Sequence, residues 1–238
     1  MSAAGTLAVA GADRPLSTRL DGPVGDGPLL VLGHGAGAGI DHPSMADLAG
    51  ARAQRGLAVL RYQFPFMERR GGAGFGRDPL PLAVATVAAA VERGRALAAG
   101  RPLFAGGHSW GGRMTAHAAA AGLLPEIAGL VLASFPLHGA KAPGTERARH
   151  LPGLGLPMLF VSGERDALAR APLLEDCIAG LGAAELARIA AADHGWKAPK
   201  RVWPDGPLPA VADAIAAWCA RTAGLSLPRA GSCSPDSR

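Results

Sequence analysis

Short, continuous apolar runs alternate along this chain with Ala-rich amphipathic segments, and that alternation leaves few folds open. The runs are Leu29–Leu32, Ala58–Tyr62, Leu103–Ala105, Leu130–Ser134, Met158–Val161 and Leu186–Ile189. A strand with one wet face alternates apolar and polar residues; a run apolar at nearly every position needs cover on both faces, as in a parallel sheet. The cover is supplied by segments with helical periodicity, at about Ser44–Ala53, Leu80–Ala99, Gly111–Ala121, Pro172–Gly180 and Leu208–Thr222. The expected fold class is therefore α/β, a mostly parallel sheet flanked by helices on both faces. The length of 238 residues suits a single domain. We place it at residues 1–223 and expect the Ser-, Pro- and Gly-rich stretch 224–238 to be a disordered tail. Such sheets gather functional groups just beyond the carboxyl ends of their strands, so the turns after the apolar runs are where chemistry is sought.

Composition narrows the partners. The formal charge of +5 comes mostly from scattered Arg, with no basic run of the kind that marks a nucleic-acid surface. The densest patch, Glu68-Arg69-Arg70 with Arg77 nearby, reads as a solvated loop or as an anion site beside a substrate. The three cysteines, Cys177, Cys219 and Cys233, form no C-x-x-C pair and no metal-binding spacing, which fits a reducing compartment. Residues 1–11 lack a basic leader, and the Ala-rich run after Leu82 is broken by Glu92, Arg93 and Arg95. A cytoplasmic protein without membrane contact is expected.

Directly after Leu103-Phe104-Ala105 comes Gly106-Gly107-His108-Ser109-Trp110-Gly111-Gly112, followed by a helical segment. Here G-x-S-x-G sits between a strand and a helix, the context of a nucleophile elbow. A serine on so sharp a turn tolerates only glycines at its flanks, and the helix N-terminus beneath it favours developing negative charge. We take Ser109 as the nucleophile. After the first run lies Gly33-His34-Gly35-Ala36-Gly37-Ala38-Gly39, where the second amide of an oxyanion hole belongs. The donors expected are the backbone amides of Trp110 and of Ala36, with Gly37 as the alternative. The same glycines also fit the dinucleotide fingerprint G-x-G-x-x-A. Against it, Ile40-Asp41-His42-Pro43 separates the glycines from the next helix, and Arg61-Tyr62-Gln63 offers no acid for a ribose.

The run Met158–Val161 leads into Ser162-Gly163-Glu164-Arg165-Asp166, and the last run into Ala191-Ala192-Asp193-His194-Gly195-Trp196. The order Ser, acid, His assigns His194 as general base and Asp166 as its orienting carboxylate, with Glu164 as the fallback. A surface turn with solvated acids is the competing reading of the Glu164–Asp166 stretch. His108 and His117 read as packing residues; His34 and His42 flank the Gly-rich loop and support its shape. No H-x-x-x-H pair and no His–Cys grouping exists, so no metal and no cofactor is expected.

Several segments resemble one branch of the α/β-hydrolases, the dienelactone-hydrolase-related group that includes testis-expressed hydrolase-like proteins and the hydrolase-like domain of a chromatin acetyltransferase complex subunit. They are Gly33–Met45, Phe64–Met67 with Arg69-Arg70, Gly107–Met114, Phe135–His138, His150–Pro152 and Leu159–Asp166. The resemblance implies the α/β-hydrolase fold and a serine-hydrolase site at Ser109, Asp166 and His194. His108 departs from it, standing where such proteins more often carry Arg. Only residues 139–155 are available for a lid, so a shallow, open site taking small acyl groups is expected, with His34, Gly35, Met67, His138 and Trp196 against the substrate. Phe66, Trp110 and Leu137 are further candidates for its wall, and Met67 and Trp196 could equally be core residues. The function expected is cleavage of a small ester, lactone or thioester through an acyl-enzyme. A non-catalytic interaction module on the same fold is the alternative, and a nucleotide-binding oxidoreductase is third.

Overall fold

The computed structural model of the protein describes residues 2–22, 25, 27–69 and 76–225. Arg70 of the basic patch and residues 226–238 of the expected tail, Cys233 among them, lie outside the described residues.

Eight strands form one sheet in the order β1-β2-β4-β3-β5-β6-β7-β8. From β4 onward the strands are parallel: β3 Leu29–Gly33, β4 Ala58–Tyr62, β5 Leu103–His108, β6 Gly129–Ala133, β7 Met158–Gly163 and β8 Ala184–Ile189. All six were legible as apolar runs. The other two, β1 Ser2–Leu7 and β2 Leu16–Asp21, form an antiparallel hairpin against β4 and were not. Both mix polar residues with apolar ones, and β1 is exposed along its length except at Leu7.

Alternate side chains of each inner strand enter opposite cores, which is why the runs are continuous. Leu29 and Val31 of β3 pack with α3 (Leu80–Ala98), α4 (Trp110–Ala120) and α5 (Ala171–Ala179) on one face. Leu30 and Leu32 pack with α1 (Pro43–Ala53) and α6 (Leu208–Thr222) on the other. One short helix, α2 (Pro65–Glu68), follows β4. Among the described residues no helix is long and apolar enough to cross a membrane. Between β6 and β7 the chain makes only a 3₁₀ turn at Glu146–Ala148, so no lid domain covers the strand ends.

The chain runs from β3 outward to β4 and then back across β3 to β5. At that reversal the connections leave in opposite directions and open a crevice at the strand carboxyl ends. Ser109 stands there, one residue beyond β5.

Candidate active site

Ser109 has φ 52° and ψ −111°, a left-handed conformation that costs a residue with a Cβ about 1–3 kcal/mol. The cost is met by its surroundings. Its amide donates to the Ala133 carbonyl at 2.8 Å, and helix α4 starts at the next residue. The flanking glycines are required sterically. A Cβ on Gly107 would lie 2.4 Å from the Gly111 carbonyl carbon, and one on Gly111 would lie 2.5 Å from the Gly33 carbonyl. The second contact also seats the Gly-rich loop after β3 against the elbow.

The Ser109 hydroxyl donates to His194 Nε2 at 2.9 Å. His194 Nδ1–H donates to both Asp166 oxygens, at 2.8 and 3.0 Å. Asp166 has no exposed side-chain surface, whereas the His194 side chain is 25% exposed and so open to a ligand. Asp166 also accepts the Leu168 amide at 2.8 Å, which fixes the carboxylate before the imidazole meets it. Glu164 points elsewhere: it accepts the amide of Ala191, itself at φ 52°, and so braces the loop that carries His194. Two backbone bonds, Glu164 N–H to Ile189 and Arg165 N–H to Ala192, zip that loop to the turn after β7. The Asp193 carboxylate closes the far side by accepting the amides of Gly195 and Lys197.

The loop after β3 is anchored by the strand beside it. Gln63 accepts the Ile40 amide, and buried Arg61, paired with Asp21 at 2.7 Å, donates to the Ile40 carbonyl. His34 is fully buried; its Nδ1–H donates to Gly35 and its Nε2 accepts the Phe64 amide. Burial pulls its pKa down to about 4, so it stays neutral. Helix α1 opens only at Pro43, well past the glycines, which agrees with the reading against a nucleotide loop.

Residues 26–220 match the model of the alpha/beta hydrolase domain. The chain belongs to the α/β-hydrolase family. No curated protein matches its sequence. Solved structures with the same fold include Est1E from Butyrivibrio proteoclasticus with ferulic acid bound (16% identity, 92% of this chain and 98% of that one, TM-score 0.73). Others are a dienelactone hydrolase from Anabaena variabilis (20%, 92% and 96%, 0.69) and XC6422 from Xanthomonas campestris, a serine hydrolase without lid (21%, 91% and 94%, 0.67). The last two are named as hydrolases, and the dienelactone hydrolase agrees with the branch read from the motifs.

In this hydrolase Ser109, Ala36 and Trp110 line one cleft of about 250 Å³, with Leu168 and the 136–139 segment opposite. All five expected substrate contacts lie elsewhere. His34 and Gly35 sit behind the cleft, His34 without exposed surface and Gly35 against the His108 ring. Met67 is in the core and lines a separate cavity with Gly37, Gly39 and Gln63. His138 is buried; its Nδ1–H donates to Gly139 and its Nε2 accepts the Arg170 amide, so it ties the segment after β6 to the start of α5. Trp196 packs in the core under α1 and α6. All four of these side chains are large enough for burial to repay more than a place on an open wall, and the sequence offers no means of telling the two apart.

His108, expected as a packing residue, packs beside His194, and two arginines of the cleft escaped the sequence reading. His108 packs 5.7 Å from the His194 ring and donates from Nε2 to the His194 carbonyl at 3.2 Å. Burial, with the nearby His194 adding to it, lowers its pKa to about 4. Arg113 and Arg147 also line the cleft, beside Arg77. Arg113 stands one helical turn beyond Ser109, a spacing that could have flagged it.

Proposed function

We propose that this hydrolase cleaves a small ester, lactone or thioester through a covalent acyl-enzyme, with Ser109 as nucleophile, His194 as general base and acid, and Asp166 as the orienting carboxylate. The observation that carries it is the unbroken relay of 2.9 and 2.8 Å from the Ser109 hydroxyl to a carboxylate with no exposed side-chain surface. Such a carboxylate holds the imidazole in the tautomer whose Nε2 is free to accept a proton, and it stabilises the imidazolium that results.

The Ser109 oxygen attacks the carbonyl carbon while His194 Nε2 takes its proton. The carbonyl oxygen becomes an oxyanion against the amides of Ala36 and Trp110, the latter at the positive end of α4. Collapse breaks the bond to the leaving group, which takes the proton from His194. Water then repeats the sequence: His194 removes its proton, hydroxide adds to the acyl carbon, and Ser109 leaves with the proton returned. A cleft of about 250 Å³ is small beside the ~300–1,000 Å³ of pockets for drug-sized ligands, which supports a short acyl group. Labelling by a fluorophosphonate probe tests the reading. Loss of label in both Ser109→Ala and His194→Ala is expected, and a folded wild-type protein that takes no label would refute it.

A further inference from the structure

Three arginines converge on the cleft that holds Ser109: Arg77, Arg113 and Arg147. Among the described residues none of the three has a carboxylate within ion-pair distance. The obvious candidates are committed elsewhere. Asp78, next to Arg77 in sequence, is buried against Arg69 and the Phe66 amide. The sequence from Arg70 to Phe75 contains no acid.

Each guanidinium is nonetheless placed. Arg77 lies over the Trp110 ring at 5.3 Å. Arg147 donates to the His138 carbonyl at 2.9 Å, so the buried His138 sets its position. Arg113 rises from the first turn of α4, and its Nε is buried without a partner. The charge is felt nearby: His117 and His150 stack at 4.1 Å, and burial together with Arg113 keeps both below the usual histidine range. Converging guanidinium groups without a carboxylate repel one another, and a planar oxyanion bound among them relieves that repulsion and accepts charge-assisted hydrogen bonds.

We infer that the cleft beside Ser109 is built for a substrate that carries its own negative charge, an ester with a carboxylate or phosphate a few bonds from the scissile carbonyl, held by Arg77, Arg113 and Arg147. The inference rests on the hydrolase reading for the identity of the scissile bond but not for the anion site itself. The guanidinium groups select the substrate by its remote charge, and the amides of Ala36 and Trp110 serve the oxyanion separately.

The test has two independent arms. In the first, wild-type turnover of monomethyl glutarate and of 2-acetoxyethyl phosphate is compared with that of methyl pentanoate by pH-stat. One or both anionic esters should be preferred in kcat/KM by about tenfold or more, the worth of one charge-assisted hydrogen bond. The preference should collapse towards unity in Arg77→Gln and Arg113→Gln, mainly through KM. Arg77 is exposed at the rim, so its variant leaves the core intact. In the second arm, binding of monomethyl glutarate and of 2-acetoxyethyl phosphate to Ser109→Ala is measured by calorimetry, with and without Arg77→Gln. Binding that the second substitution abolishes supports the site even if no ester is turned over. Probe labelling of wild type with no binding of either anion would overturn the site and leave the hydrolase reading standing. A preference that survives both arginine variants would also overturn it.

Discussion

Gly163 ends β7 where the loop carrying His194 passes closest to the turn carrying Asp166. A Cβ placed there would lie 2.3 Å from the Ala192 carbonyl oxygen and 2.9 Å from that of Asp193, whereas ordinary contact begins at 3.4 Å. In Gly163→Ala the two loops must therefore part by about 1.1 Å, the gap between 2.3 and 3.4 Å. They cannot yield softly, because Glu164 N–H to Ile189 and Arg165 N–H to Ala192 lock them together. A separation of that size takes the Asp166–His194 contact from 2.8 Å past hydrogen-bond reach. Misplacing a reacting group by about 1 Å costs about 10²-fold in rate, and overpacking costs about 1–3 kcal/mol of stability. The assay is the second-order rate of fluorophosphonate labelling, with urea unfolding alongside. Gly50→Ala is the control: the site in α1 is open, and a helical Gly→Ala change there should add about 0.5–1 kcal/mol without affecting labelling. Labelling of Gly163→Ala within twofold of wild type, at unchanged stability, would refute the claim that this contact sets the relay.

Asp166→Asn should lower kcat by about 10³–10⁴-fold, because an amide nitrogen facing Nδ1 favours the wrong tautomer, while Glu164→Gln, still able to accept the Ala191 amide, should lose less than about tenfold. Equal losses in steady-state rates would refute the distinction, and a larger loss in Glu164→Gln would reverse the two assignments. Arg52 is fully buried between α1 and α6 with none of its guanidinium nitrogens bonded, so Arg52→Met should raise stability by about 1–4 kcal/mol; a lower melting temperature would show an unseen partner. Fully buried His34 and half-buried His108 have folded-state pKa values near 4 against 6.5 unfolded. The unfolded chain therefore takes up their protons first. Their contribution is intact above pH 6.5 and is lost as the pH falls through about 4, at most about 3 kcal/mol each. Urea midpoints that stay level between pH 7 and pH 4.5 would contradict this.

Much of this protein was legible in its sequence because the signals concerned are local. A strand buried on both faces is apolar at nearly every position, so β3 to β7 announced themselves, while the half-exposed edge strand β8 showed only the short run Leu186–Ile189. An elbow needs glycines whose spacing is set by one turn of chain, so Ser109 was found from its neighbours. The order Ser, acid, His along the chain pointed to Asp166 and His194, whose side chains lie within hydrogen-bond distance of each other. The β1–β2 hairpin was missed because the edge strand β1 buries only Leu7, and β2 buries polar Thr18 and Asp21 beside Leu16, so neither shows a continuous apolar run. Glu164 and Asp166 sit two residues apart in one turn, and only the close pass of the His194 loop at Gly163 decides which meets the imidazole and which the Ala191 amide. Burial was equally hidden: His34, Met67, His138 and Trp196 have residue types that serve a wall or a core equally well, and the packing of other elements against them makes the choice. The arginine cluster draws on three segments far apart in sequence, brought together at one end of the sheet. Sequence alone determines what each short stretch of backbone can become, because sterics and side-chain periodicity act over a few residues. Which side chains face one another across the crevice is decided by tertiary structure, because that depends on where separate strands end.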